Sequence, residues 1–245
     1  MSKYGFSKVG VEDVEMGHGG GGVLYPGLSL QDNEMRLGFL KKVYSILSMQ
    51  LLLTVIVAAT VVLYTPATLF LVKTPGLLLG ISILPLILMC PLYAYHQKHP
   101  VNLALLGLFT VVLSLTVGIS CAYTKGIIVL EALILTAAVV FSLTGYTFWA
   151  AKKGKDFSFL GPILFSSLLV IILFGFIQVF FPLGSLSTTI YGGLAALIFS
   201  GYIVYDTDNL IKRYTYDQYI WASVVLYLDI LNLFLSLLQL LRGNE

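Results

Sequence analysis

The stretch Ser223–Leu241 reads SVVLYLDILNLFLSLLQLL, and its reading decides the fold. An apolar helix of about 20 residues crosses the roughly 30 Å hydrocarbon core of a bilayer. Asp229 nevertheless stands in its middle. A carboxylate at the centre of a membrane helix costs about 2.5–3.5 kcal/mol on insertion scales. It is retained where it faces a bundle interior or a polar cavity, so this helix belongs to a bundle.

Six further runs upstream have comparable length and apolarity: Val43–Leu63, Gly76–Tyr95, Val101–Tyr123, Ile127–Ala151, Phe159–Phe181 and Thr188–Tyr205, with Ile220–Leu241 as the seventh. The connections are too short to hold a soluble domain. The composition agrees, with 58% hydrophobic and 11% charged residues, where soluble domains carry about 25% charged. The expected architecture is an all-α membrane protein, a seven-transmembrane-helix bundle over residues 39–245. Pro85 and Pro91 predict a kinked or broken second span. Residues 1–38 are polar and rich in glycine, including GHGGGG at Gly17–Gly22, and lack the apolar segment of a signal peptide. They read as a disordered cytosolic tail, with His18 solvated and LYPG at Leu24–Gly27 a turn.

Charge sets orientation. With the N-terminus in the cytosol, eleven of the 14 Lys and Arg residues fall on the cytosolic side, against Lys73, Lys125 and Arg242 on the other. A net charge of +2 gives no reason to expect nucleic acid as a partner. The two cysteines, Cys90 and Cys121, lie inside apolar runs and read as packing residues. HQKHP at His96–Pro100 offers His-x-x-His without a third ligand, so no tight metal site is expected.

Asp229 heads a polar stripe. Asn232, Ser236 and Gln239 follow at +3, +7 and +10, and the four residues share an arc of about 80° on one helix face. The stripe reads as an aqueous or ion pathway, with interhelical hydrogen bonding as the plainer alternative. The sixth run ends in YIVYDTDNLIKRY. In a symmetric hairpin between the last two spans, Asp206 and Asp229 are equidistant from the polar TYDQ turn and meet. Two adjoining carboxyl groups titrate as a unit, which makes the pair a candidate pH sensor and ion gate. An ion pair of Asp206 with Lys212 or Arg213 is the alternative. Asp208 reads as a solvated helix-end residue and Asp217 as a turn residue. Glu131, near the far end of the fourth span, is either a pathway mouth or an interfacial acid. Gly192, Ala196 and Ser200, four residues apart, predict a close helix approach.

The segments GYIVYDTDNLIKRY, VVLYLDILNLF, CPLYAYHQKHPVN, VLEALILT and FSFLGPILF resemble the transmembrane Bax-inhibitor motif family, in its plant-type Lifeguard branch. The resemblance runs from about Leu37 to the C-terminus. It implies a seven-helix fold with the last helix central. It also implies protection against programmed cell death and a pH-sensitive calcium leak from the endoplasmic reticulum or another endomembrane. The family's paired aspartates map onto Asp206 and Asp229, and a candidate latch for the first aspartate onto His96. Calcium is then the permeant ion and no cofactor is expected. The partners are the lipid bilayer and membrane proteins of cell-death or stress signalling. An intramembrane aspartyl protease would share the Tyr205–Asp206 pair, but Leu226 stands where its Gly-x-Gly-Asp motif needs the first glycine. The expectation is a protein that is not an enzyme; a non-conducting regulator acting through partners is the alternative to the leak.

Overall fold

The computed structural model describes residues 23–181 and 184–243. They form eight α-helices and no strands: α1 Leu30–Leu63, α2 Thr65–Lys73, α3 Pro75–Tyr95, α4 Val101–Ala122, α5 Gly126–Lys152, α6 Leu160–Phe180, α7 Ser185–Lys212 and α8 Tyr219–Arg242. Seven are long and apolar enough to cross a membrane. The chain is an integral, multi-pass membrane protein. The eighth, α2, is a short helix between the first two spans that hydropathy does not announce. Its nine residues are too few to span.

One expectation is corrected. The first helix begins at Leu30, ahead of the boundary placed at residue 39. Ser29 caps it, accepting a hydrogen bond from the Asp32 N–H at 3.1 Å, as a serine before a helix does. Asn33 Oδ1 accepts the N–H of buried Leu24 at 3.0 Å, which ties the LYPG turn to the first helical turn. Local capping thus extends order back from the membrane. Residues 1–22 of the expected tail, His18 among them, lie outside the described residues. α3 runs through Pro85 and Pro91 as one continuous helix, so the second span is not broken there, a tolerance common in membrane helices.

α7 and α8 form an antiparallel hairpin joined through a short 3-10 helix, Tyr216–Gln218, which holds Asp217 in the turn. α8 packs against α1, α4, α5 and α7 and is the most enclosed span, with 56% of its most apolar stretch buried against 11–39% for the others. Close approach is made possible by glycine. A Cβ on Gly192 would lie 2.8 Å from Leu240 N and 2.9 Å from Ser236 O, so α7 touches the α8 backbone there. A Cβ on Gly118 of α4 would lie 2.8 Å from Val61 Cβ of α1.

Candidate functional site

Asp206 lies six residues before the end of α7, and Asp229 lies at mid-length on α8. The hairpin brings them together, as its symmetry predicts. Both are buried, at 7% and 6% exposed, and their carboxyl groups are within hydrogen-bonding reach of one another. Asp229 Oδ2 is buried without a donor among the described residues. A pair so arranged holds one proton between its members more readily than two charges.

Asp206 does not pair with the basic residues that follow it. Lys212 pairs with Asp208, and Arg213 pairs with Asp156 at 2.9 Å. Asp208 is therefore a correction: it is fully buried, not solvated. Its Oδ2 accepts the Phe157 N–H at 3.3 Å, and Lys212 also donates to the Lys155 carbonyl. The α5–α6 connection folds over Asp208 and supplies a donor that sequence proximity could not suggest. Asp206 Oδ1 instead accepts from Asn209 Nδ2 at 3.4 Å, and Asn209 Oδ1 accepts from Arg213 Nη1 at 2.8 Å. Tyr214, in the turn after α7, lies close enough to feel both acids. Burial pushes its phenol above the ordinary range, and the Asp206 and Asp229 charges act the same way. Its carbonyl accepts a hydrogen bond from Arg36 of α1, whose guanidinium stacks over Tyr216 at 4.8 Å.

This constellation coincides with a sequence match. The pattern described as "Inhibitor of apoptosis-promoting Bax1" matches residues 36–245. The chain belongs to the Bax1-I family. It is 65% identical over 233 residues to the BI1-like protein of Arabidopsis thaliana, covering 95% of this chain and 91% of that one. It is 61% identical over 238 residues to Protein LIFEGUARD 4 of Arabidopsis thaliana, covering 96% of each. It is 38% identical over 211 residues to the Golgi anti-apoptotic protein of Vaccinia virus (strain Lister), covering 86% of this chain and 87% of that one. The family resemblance read from the paired aspartate segments is thereby borne out.

The other candidate residues of this Bax1-I protein are placed unequally. On the stripe, Asn232 donates to its own helix at Leu228 O (2.8 Å) and Ser236 to Asn232 O (2.6 Å). Gln239 reaches across to Thr188 O on α7 at 3.2 Å, an interhelical bond. Glu131 is exposed on α5, apart from the dyad. His96 stacks on Tyr93 with ring centroids 5.6 Å apart and contacts its carbonyl. Its described contacts do not include Asp206.

A buried polar cluster joins α1, α4 and α8, and periodicity gave no sign of it. Gln50 Nε2 donates to Thr110 Oγ1 at 3.1 Å, Ser114 Oγ donates to Thr54 Oγ1 at 3.1 Å, and Thr54 Oγ1 meets Tyr227 OH at 2.6 Å. Two cavities flank it. One of about 960 Å³ is lined by Lys42, Gln50, His99 and Thr110. The other, about 500 Å³, is lined by Thr54, Cys121, Thr136 and Phe234. Neither is lined by Asp206, Asp229 or the stripe.

Proposed function

We propose that this protein is a pH-sensitive calcium leak of an internal membrane, gated by the Asp206–Asp229 pair, and that it protects the cell against programmed death. The observation that carries this reading is the buried carboxyl pair itself, with one oxygen lacking a donor. A site of this kind changes charge with pH and has affinity for a hard cation, for which oxygen ligands are suited. The anti-apoptotic name of the viral relative, and its Golgi attribution, support the cellular role and an endomembrane location such as the endoplasmic reticulum. The charge bias supports a cytosolic N-terminus. No catalytic role is assigned to the pair, and no cofactor to the protein. The bilayer and calcium are its partners in this reading. The test is calcium flux from purified protein in liposomes across a pH series. Flux with a pH profile that changes in Asp229→Asn supports the leak.

A second reading is a non-conducting regulator that works through cell-death or stress-signalling membrane proteins. It is favoured by the stripe, where Asn232 and Ser236 bond to their own helix and Gln239 to α7. Silent liposomes, with protein retained in a folded state, would select it.

A further inference from the structure

Residues 153–159 join α5 to α6 and lie against the last turn of α7. A buried clasp and an exposed one hold them there. The buried clasp is Asp208, which takes the Phe157 N–H and the Lys212 ammonium. The exposed one is Arg213–Asp156, whose side chains are 41% and 54% exposed. The two meet at Asp156, which also lies within hydrogen-bonding reach of Asp208, and Arg213 carries the exposed one on to Asn209 and the dyad.

We infer that Asp156, Arg213 and Asn209 form a positioning relay through which the α5–α6 connection sets the hydrogen bonding of Asp206, and with it the pH at which the dyad responds. The inference rests on the reading of that pair as a titrating gate. Its physical basis is the two-ended chemistry of a carboxamide, one end an acceptor and the other a donor. Arg213 Nη1 occupies the oxygen of Asn209 at 2.8 Å, so the amide presents its NH₂ to Asp206 Oδ1 at 3.4 Å. Without the arginine the amide can turn over and set its oxygen against a carboxylate. Arg213 is a long side chain that loses rotamer freedom when held, and Asp156 holds its other nitrogen at 2.9 Å. Asp156 is oriented in turn by the Ser158 hydroxyl at 2.8 Å and the Ser158 N–H at 3.2 Å. Order therefore passes from an exposed loop to a buried acid through single hydrogen bonds.

Other groups face Asp206 from the elements around it. Asp229 comes from α8, Tyr202 lies on its own helix, and Tyr214 approaches from the following turn. Arg36 of α1 holds the Tyr214 carbonyl, and the α5–α6 connection contributes Asp156. Asp208, held by Lys212, lies beside Asp156 at the outer end of the relay. An ordinary surface ion pair would add little to stability and would not touch the titration of a buried acid.

The experiment is an infrared difference titration of the full-length protein in liposomes. It follows the carboxylic C=O stretch, assigned with Asp206→Asn and Asp229→Asn, and so reads the dyad whether or not calcium moves. A donor to the ionised acid favours ionisation, so its loss moves the midpoint to higher pH. Asn209→Leu should raise the midpoint by about one pH unit, the size of one hydrogen bond to a charged group. Arg213→Gln should raise it by roughly half as much and Asp156→Asn by less, because they act through Asn209. Arg213→Gln in an Asn209→Leu background should add nothing. At about 1 M salt, where the screening length is about 3 Å, the native midpoint should approach that of Asp156→Asn. A midpoint unmoved by both Arg213→Gln and Asp156→Asn, or strictly additive shifts, overturns the relay and leaves the leak standing. A midpoint that follows the relay in liposomes that pass no calcium supports the relay and overturns the leak. A native pair that does not titrate overturns both. Arg213 and Asp156 are both exposed, so their variants should keep native helicity, and a variant that loses it is replaced by Arg213→Lys, which should retain part of the native midpoint.

Discussion

Gly192 offers a quantitative test of how α7 meets α8. A Cβ there would stand 2.8 Å from Leu240 N and 2.9 Å from Ser236 O. Both are backbone atoms of α8 and cannot rotate away. Relief to ordinary contact requires the helices to part by more than half an ångström, and overpacking of this kind costs about 1–3 kcal/mol. Alanine is also a better helix former than glycine by about 1 kcal/mol. Gly192→Ala should therefore be destabilising by up to about 2 kcal/mol net. The neighbouring residue supplies the control. A Cβ on Gly193 meets only Leu240 Cδ1, at 3.6 Å, an ordinary contact with a flexible side chain. Gly193→Ala should be neutral or stabilising by up to about 1 kcal/mol. The assay is reversible unfolding of the two variants in detergent, followed by helical circular dichroism. The prediction is a gap of about 1–3 kcal/mol between two substitutions one residue apart. Equal stabilities would refute the close approach. Parting the helices should also lengthen the Gln239–Thr188 bond, now 3.2 Å, so a gap unaccompanied by any change at Gln239 would point to local strain alone.

Three further outcomes are expected. Asp206→Asn and Asp229→Asn should each shift or flatten the pH dependence of calcium flux, and their effects should be non-additive in a double-mutant cycle because both remove one titrating unit; additivity would argue against the pairing. Tyr227→Phe removes the 2.6 Å contact to Thr54 and should cost about 1 kcal/mol of stability, read by unfolding, while leaving the pH profile of flux in place because the hydroxyl cluster does not include the dyad. The Asp156 carboxyl is held below its ordinary range, first by the Ser158 hydroxyl and further by the Ser158 N–H, the adjoining Asp208 side chain and the Arg213 charge. Its contribution is thus present above the ordinary range of an aspartic acid and lost as pH falls through the depressed value, so cleavage by an acid-active protease at the α5–α6 connection should accelerate only below about pH 4, and a rate flat down to that limit and beyond would contradict it.

The bundle and its acid pair were legible in the chain because both follow from local rules. Span length is a count of apolar residues against bilayer thickness, and a short hairpin propagates register from its turn. That is why Asp206 and Asp229 could be paired by symmetry and why the Gly192 contact could be anticipated. The first helix was legible too, in the Ser29 cap and the Asp32 that follows it, but hydropathy looks only for apolar residues and placed the boundary too late. What the chain by itself left open was lateral packing. Lipid tails and a protein interior are equally apolar, so hydropathy cannot tell the outward face of α5 from the inward face of α8. For the same reason it could not assemble Gln50, Thr54, Thr110, Ser114 and Tyr227 into one cluster. Asp208 shows the limit most plainly. Its i+4 partner Lys212 was visible in the sequence, yet its burial depends on Phe157, 51 residues away. Asn209 and Arg213 look like a helix end until Asp156, 57 residues from Arg213, closes over them. Such contacts depend on where one loop lands on another helix, and the sequence near either partner does not encode that; only the packed tertiary structure decides it.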